Sequence, residues 1–78
     1  MTKKQLTGPQ LRAARGLVGW TVRTLAKKAK VSENTITFIE KGRRQGRDET
    51  LEALRTGLEK AGVEFTNGKQ PGVRLRAT

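Results

Sequence analysis

Asn34, Phe38 and Lys41 sit in one short stretch, Val31 to Arg44, that reads VSENTITFIEKGRR. At about 100° per residue, a helix here turns Ile36 and Ile39 inward and brings the amide, the ring and the ammonium group to the opposite side. Arg43 and Arg44 follow at once. An exposed amide both donates and accepts hydrogen bonds, a ring offers an apolar face, and clustered cations attract anions. That is a chemistry of contact, not of turnover. The chain has no histidine and no cysteine, and its acids fall at capping or helix-surface positions. General acid–base and nucleophilic catalysis therefore have no evident carriers, and an enzyme is not expected. A zinc site is not expected without either ligand, no disulfide can form, and no cofactor is expected.

Charge narrows the class of partner. Seventeen Lys and Arg face seven Asp and Glu in 78 residues, a formal net charge of +10. Met1 to Ser32 holds eight cations (Lys3, Lys4, Arg12, Arg15, Arg23, Lys27, Lys28, Lys30) and no acid. Thr66 to Thr78 holds three more, again with no acid, so every acid lies between Glu33 and Glu64. Such a field favours a polyanion, with a merely soluble basic surface as the alternative. Membrane association is not expected, because no helix pairs a broad apolar face with a basic one and no run of about 18 apolar residues occurs. No apolar signal-peptide core follows the basic Met1-Thr2-Lys3-Lys4, and without cysteine a cytoplasmic setting is the default.

The elements that must position these groups are marked by turn and capping residues. Residues 7–18 (TGPQLRAARGLV) read as a first helix, with Thr7 as its cap, Pro9 in its first turn, and Leu11, Ala14, Leu17 and Val18 as its apolar stripe. Gly19 and Trp20 end it. Trp20 is assigned to the core, with exposed stacking as the alternative. Residues 21–29 (TVRTLAKKA) read as a second helix: Thr21 caps it, Val22, Leu25, Ala26 and Ala29 face inward, and Arg23, Lys27 and Lys28 face out. Lys30 and Val31 make a tight turn. Ser32 caps a third helix over 33–41, Glu33 suits its positive end, and Gly42 closes it. Residues 43–48 (RRQGRD) are a polar loop. Asp48 is the expected cap of a fourth helix over about 49–61, with Leu51, Leu54, Leu58 and Ala61 inward and Gly62 as the stop. After that the apolar period drops from about 3.6 to 2. VEF and VRLR alternate around NGKQPG, which reads as a β-hairpin with Val63 and Phe65, and Val73 and Leu75, on one face.

Two short helices joined by a tight turn on a basic surface form a known device, in which the first braces the DNA backbone and the second enters the major groove. A helix about 10–12 Å across fits a groove about 12 Å wide. The competing reading is an ordinary helical hairpin in a small bundle. The segments LRAARGLVGWT, LAKKAKVSENTITFIEKGRR and DETLEALRTGLEKAGVEF together resemble the Cro/C1-type (Xre) helix-turn-helix family of transcriptional regulators. The likeness covers most of Leu11 to Leu58 and extends to small members that end in AGVEF and PGVRLR.

That resemblance implies a mainly α, lambda-repressor-like bundle of four short helices with a C-terminal β-hairpin. Residues 1–6 would be a basic arm, 7–62 the DNA-binding domain, and 63–78 the hairpin. It implies double-stranded DNA as partner, usually bound by a homodimer on an inverted repeat. Glu33, Asn34, Thr35 and Phe38 occupy the positions that face base edges. Thr21 and Ser32 would meet phosphates, as would Lys41, Arg43, Arg44 and Arg47. Arg15 and Glu40 match a structural ion pair between the first and third helices. The sequence departs from the family at three places. Val22 stands where a phosphate-touching Gln is common, so Arg23, Lys27 and Lys28 are expected to supply that attraction. Lys30 stands where the turn usually has Gly, which suggests a left-handed lysine. Gly46 replaces a common proline.

The recognition residues carry alternatives. Asn34 can bond adenine N6 and N7, or be a plain polar residue of the first turn. Phe38 suits a thymine methyl, or packs on a neighbouring loop or subunit. Glu33 can accept from cytosine N4, or simply favour the helix dipole. The arginines after Gly42 contact phosphate or remain solvated. The leading expectation is a sequence-specific repressor or autoregulator with no room for a sensor domain. A non-specific nucleic-acid binder and an antitoxin-like protein-interaction module are the alternatives. The hairpin is a candidate dimerisation element; the alternative folds it onto its own helices and makes the dimer with the fourth helix.

Overall fold

The structure, a computed structural model, describes residues 6–43, 47–66 and 71–76. Four helices are followed by two strands: α1 Gly8–Val18, α2 Val22–Ala29, α3 Glu33–Glu40, α4 Asp48–Lys60, β1 Val63–Thr66 and β2 Gly72–Leu75. None of the described helices is long and apolar enough to cross a membrane.

The caps explain most of the boundaries. Thr7 accepts the Gln10 amide while the Gln10 side chain accepts the Thr7 amide at 3.0 Å, a closed capping box. Gly19, with φ 70°, supplies the left-handed turn that ends α1. The fourth helix corrects the sequence reading by one residue. Arg47 occupies the cap position without a side-chain cap bond, and Asp48 lies inside the first turn. There an acid still meets the unpaired amides and positive end of the helix, so the same chemistry serves one position later. Likewise α3 stops at Glu40, with Lys41 as its C-cap.

The core joins Leu11 and Ala14 of α1, Leu25 of α2, Ile36 and Ile39 of α3, Leu51, Leu54 and Leu58 of α4, and Val63 of β1. Two assignments change. Leu6, the last residue of the expected basic arm over 1–6, is buried in this cluster, and residues 1–5 of that arm lie outside the described residues. Leu6 directly precedes the Thr7 cap, and Leu11 follows at the fourth helical position, the spacing of a hydrophobic staple. Leu17 is 39% exposed, because α1 meets the core along Leu11, Ala14 and Val18. At Gly8 the backbone of α1 lies close against the end of α3. A Cβ there would collide with the Ile39 carbonyl oxygen and lie 3.1 Å from that of Glu40.

The strands pair antiparallel in the register Val63 to Leu75, Glu64 to Arg74, Phe65 to Val73 and Thr66 to Gly72. Val63, Phe65, Val73 and Leu75 therefore share one face. That face folds onto the chain's own helices: Val63 is fully buried, and Phe65 and Val73 pack on the core. The Arg55 guanidinium of α4 stands 5.8 Å from the centre of the Phe65 ring. Gln10 clamps the hairpin, its side-chain NH2 donating to the carbonyls of Thr66 at 3.1 Å and Gly72 at 3.0 Å. Of the two arrangements weighed for the hairpin, face packing within one chain is the one observed, with Leu75 left 49% exposed.

Candidate nucleic-acid interface

α2 and α3 begin alike. Thr21 and Ser32 are extended, and their hydroxyl oxygens accept the amides of Thr24 and Thr35, each at 3.1 Å. The amides of the two residues after each cap have no partner within their helix, at the end where the helix potential is positive. Between the helices Lys30 is left-handed, at φ 59° and ψ 44°. Its amide and that of Val31 both donate to the Ala26 carbonyl, which closes α2 and turns the chain into α3. A residue with a Cβ holds this conformation at a cost of about 1 kcal/mol.

α3 is held from behind. Ile36 and Ile39 are buried, so the opposite side of a short helix must face out. Glu33 and Asn34 are exposed, Thr35 is half-buried, and Phe38 is 41% exposed. The Thr35 hydroxyl accepts from Ser32 Oγ at 2.8 Å, so it is already engaged by the cap. Asn34 and Phe38, four residues apart, are neighbours on the surface of the helix. The exit from α3 is fixed by two backbone bonds. Gly42, left-handed at φ 74°, donates to the Ile39 carbonyl at 3.0 Å, and Arg43 donates to that of Phe38 at 2.9 Å. Lys41 and Arg43 are thereby placed, exposed, at the C-terminal end of α3. Arg47 is exposed at the start of α4, and Arg44 lies outside the described residues.

The cations of α2 divide. Arg23 Nε lies 3.8 Å from Glu33 Oε2, bridging the starts of α2 and α3. Both side chains are exposed, so the pair contributes little stability. It does set a cation beside the one acid on this surface of α3, which lowers the repulsion that acid presents to a polyanion. Spacing along the chain does not reveal this pair; it arises from the turn that brings the two helix starts together. Lys27 is exposed in the last turn of α2. Lys28 places its ammonium 5.7 Å from the centre of the Trp20 ring, a cation–π contact. Trp20 itself is half-buried against the core.

The platform beneath α3 rests on Arg15. Its guanidinium donates to both oxygens of Glu40, from Nε at 2.7 Å and from Nη2 at 2.8 Å. Nη1 donates to the Trp20 carbonyl at 3.0 Å. One side chain thus ties α1 to the last residue of α3 and to the turn that leads into α2. The hydrogen bonds that Arg15 donates to Glu40 raise the Arg15 pKa above its ordinary value, partial burial works against that rise, and the carboxylate charge adds to it.

The arrangement is a braced helix with a short polar and apolar reading surface, capped amide-rich starts on one side and cations at its exit. Such a surface can meet phosphates and base edges, and a protruding helix of this width fits a major groove. No curated protein matches the chain. Residues 8–65 match the profile of a helix-turn-helix domain. The match runs from the start of α1 into β1, most of the sequence, and the chain belongs to the helix-turn-helix domain family.

Proposed function

We propose that this protein is a sequence-specific DNA-binding transcriptional regulator of the Cro/C1 (Xre) type. In this reading it is a non-enzymatic repressor or autoregulator that binds an inverted-repeat operator as a homodimer. α3 enters the major groove, with Asn34 hydrogen-bonding a base edge, Thr35 and Phe38 offering apolar contacts to thymine methyls, and Glu33 accepting from a base amine. Lys41, Arg43, Arg44 and Arg47 contact phosphates beyond the exit of α3, and Thr21, Arg23, Lys27, Lys28 and Ser32 do so around α2 and the start of α3. The observation that carries the reading is α3 itself: a capped helix backed by Ile36 and Ile39 that turns Asn34 and Phe38 outward in a helix-turn-helix domain.

The net charge of +10 supports a second reading, a nucleic-acid binder without sequence preference. Footprinting on the DNA around the gene separates the two. A discrete protected inverted repeat supports the regulator. Uniform coverage that shifts only with protein concentration supports the charge-driven binder.

A further inference from the structure

We propose that the outer edge of β2 is a docking strip for an extended acidic segment of another protein, which joins the hairpin as a third strand. The strip is separate from α3, and the proposal does not rest on the reading of DNA by that helix.

The backbone decides which groups are free. The Arg76 amide donates to the Gly62 carbonyl at 2.7 Å, which carries the ladder one hydrogen-bonded pair beyond Val63 and Leu75. In an antiparallel ladder such pairs alternate with pairs that exchange no hydrogen bonds. Glu64 with Arg74 and Thr66 with Gly72 are then the bonded pairs. The amides and carbonyls of Val63, Phe65, Val73 and Leu75 point away from the ladder. β1 follows α4 after Gly62 and packs on it, with Val63 fully buried. β2 is the outer strand, with Arg74, Leu75 and Arg76 all exposed. Among the described residues no other backbone group bonds the outward amides and carbonyls of Val73 and Leu75.

The side chains along this edge state the chemistry of its partner. Arg74 and Arg76 share the face of the sheet turned from the core, their side chains 73% and 55% exposed. One acid, Glu64, meets both, at 2.8 Å and 3.5 Å, which leaves the face net positive. On the other face Leu75 is half exposed at the margin of the core. A strand laid along β2 presents alternate side chains to these two faces. The segment that fits therefore alternates acids, set beside Arg74 and Arg76, with apolar residues, set beside Val73 and Leu75. Strand addition of this kind takes affinity from main-chain hydrogen bonds and specificity from alternate side chains.

The same charges exclude other occupants. Pairing β2 with a second β2 about Leu75 sets Arg74 of each copy opposite Arg76 of the other, and like charges across a strand pair destabilise it. Arginines on an edge strand in this way turn away strands of their own kind. A nucleic acid backbone could meet the arginines, but its phosphates bring no donor for the Val73 and Leu75 carbonyls.

The test is amide NMR and hydrogen exchange on the whole chain, titrated with a short synthetic peptide of alternating Glu and Val. The Val73 and Leu75 amides should shift, and should exchange roughly tenfold more slowly with peptide present. A peptide with Lys in place of Glu should leave both amides unchanged, as should the Glu–Val peptide with its backbone amides N-methylated. The double variant R74Q/R76Q should lose the response. So should Leu75→Pro, which deletes an outward donor without touching the ladder, with circular dichroism confirming that both variants fold. No response at Val73 and Leu75, an equal response to the lysine or N-methylated peptide, or an unchanged response in R74Q/R76Q each overturns the proposal. Shifts centred on α2 and α3 instead would mean general attraction to a basic surface, and duplex DNA protecting the same two amides would make the strip a phosphate contact; either result also overturns it.

Discussion

Replacing Glu40 by Ala removes both acceptors of Arg15 at once, the contacts of 2.7 Å and 2.8 Å that tie α1 to α3. The guanidinium remains behind, its side chain only 18% exposed, with the Trp20 carbonyl as its remaining partner in the fold. Stranding one charge of a buried pair costs about 3–5 kcal/mol. Because Arg15 keeps the Trp20 bond and some access to water, the loss should fall at the low end, about 3 kcal/mol. In a domain of this size each kcal/mol moves the melting temperature by about 4–8 °C, so Glu40→Ala should melt roughly 12–24 °C lower. The assay is thermal unfolding by circular dichroism at fixed protein concentration, since association makes the midpoint concentration-dependent. The double variant R15M/E40L strands no charge and should recover much of the loss. In the fold the bonds to Glu40, against the opposing effect of partial burial, raise the pKa of Arg15. Its contribution is therefore present at every pH below the ordinary arginine range and lost only above it, and the Glu40→Ala deficit should stay constant between about pH 7 and 10. A Glu40→Ala melt within about 2 °C of wild type, or a double variant whose cost is the sum of the two singles, would refute the platform beneath α3.

Gln10→Glu keeps the capping box with Thr7 but loses the NH2 that holds the carbonyls of Thr66 and Gly72, so urea unfolding should show a loss of about 2 kcal/mol; a change under about 0.5 would mean the hairpin is not clamped there. Gly57→Ala places its methyl at an ordinary contact distance, 3.7 Å from Ala29, and should raise stability by about 1 kcal/mol through helix propensity; a lower melting temperature contradicts the packing of α4 on α2. DNA affinity should fall by roughly 10³–10⁵ between about 50 and 200 mM salt if a dimer makes about 6–10 phosphate contacts. Arg43→Ala should weaken every DNA sequence alike and reduce the salt slope by about 1; a change in base preference with non-specific affinity intact would remove Arg43 from the phosphate contacts.

Local chemistry was the legible part of this fold. Thr7, Thr21 and Ser32 announce helix starts because a hydroxyl can satisfy an orphan amide, and Gly19, Gly42 and Gly62 announce ends because each takes a positive φ. Lys30 was readable as a left-handed residue only by comparison with a position that usually holds glycine. Less legible were features decided by tertiary neighbours. Gln10 looks like surface by type, yet it is 4% exposed because the hairpin folds over it. The Thr7–Gln10 spacing of a capping box was the available signal, but the sequence reading uses only Thr7 as the cap and leaves Gln10 unassigned. Leu6 carried a staple spacing to Leu11 that reads equally well as one apolar residue in a basic arm. The hairpin's apolar face was readable from its alternation, but alternation does not say which surface covers it. In the interface, burial of Ile36 and Ile39 and exposure of Asn34 and Phe38 follow from the helical period. The Arg23–Glu33 bridge needed the turn geometry, because the two residues share no helix.

Sequence reading by α3 is tested most directly by selecting duplexes from a randomised library with the wild-type chain and with Asn34→Ala, at one stated salt concentration. Wild type should enrich an inverted repeat whose half-site centres lie about 10–10.5 base pairs apart, or a multiple of that. Asn34→Ala should lose the preference at one position in each half-site, worth about 1–3 kcal/mol, and bind unselected DNA about as well as before. Enrichment of no motif by wild type, or recovery of the same motif by Asn34→Ala with affinity lowered equally on all DNA, would contradict it.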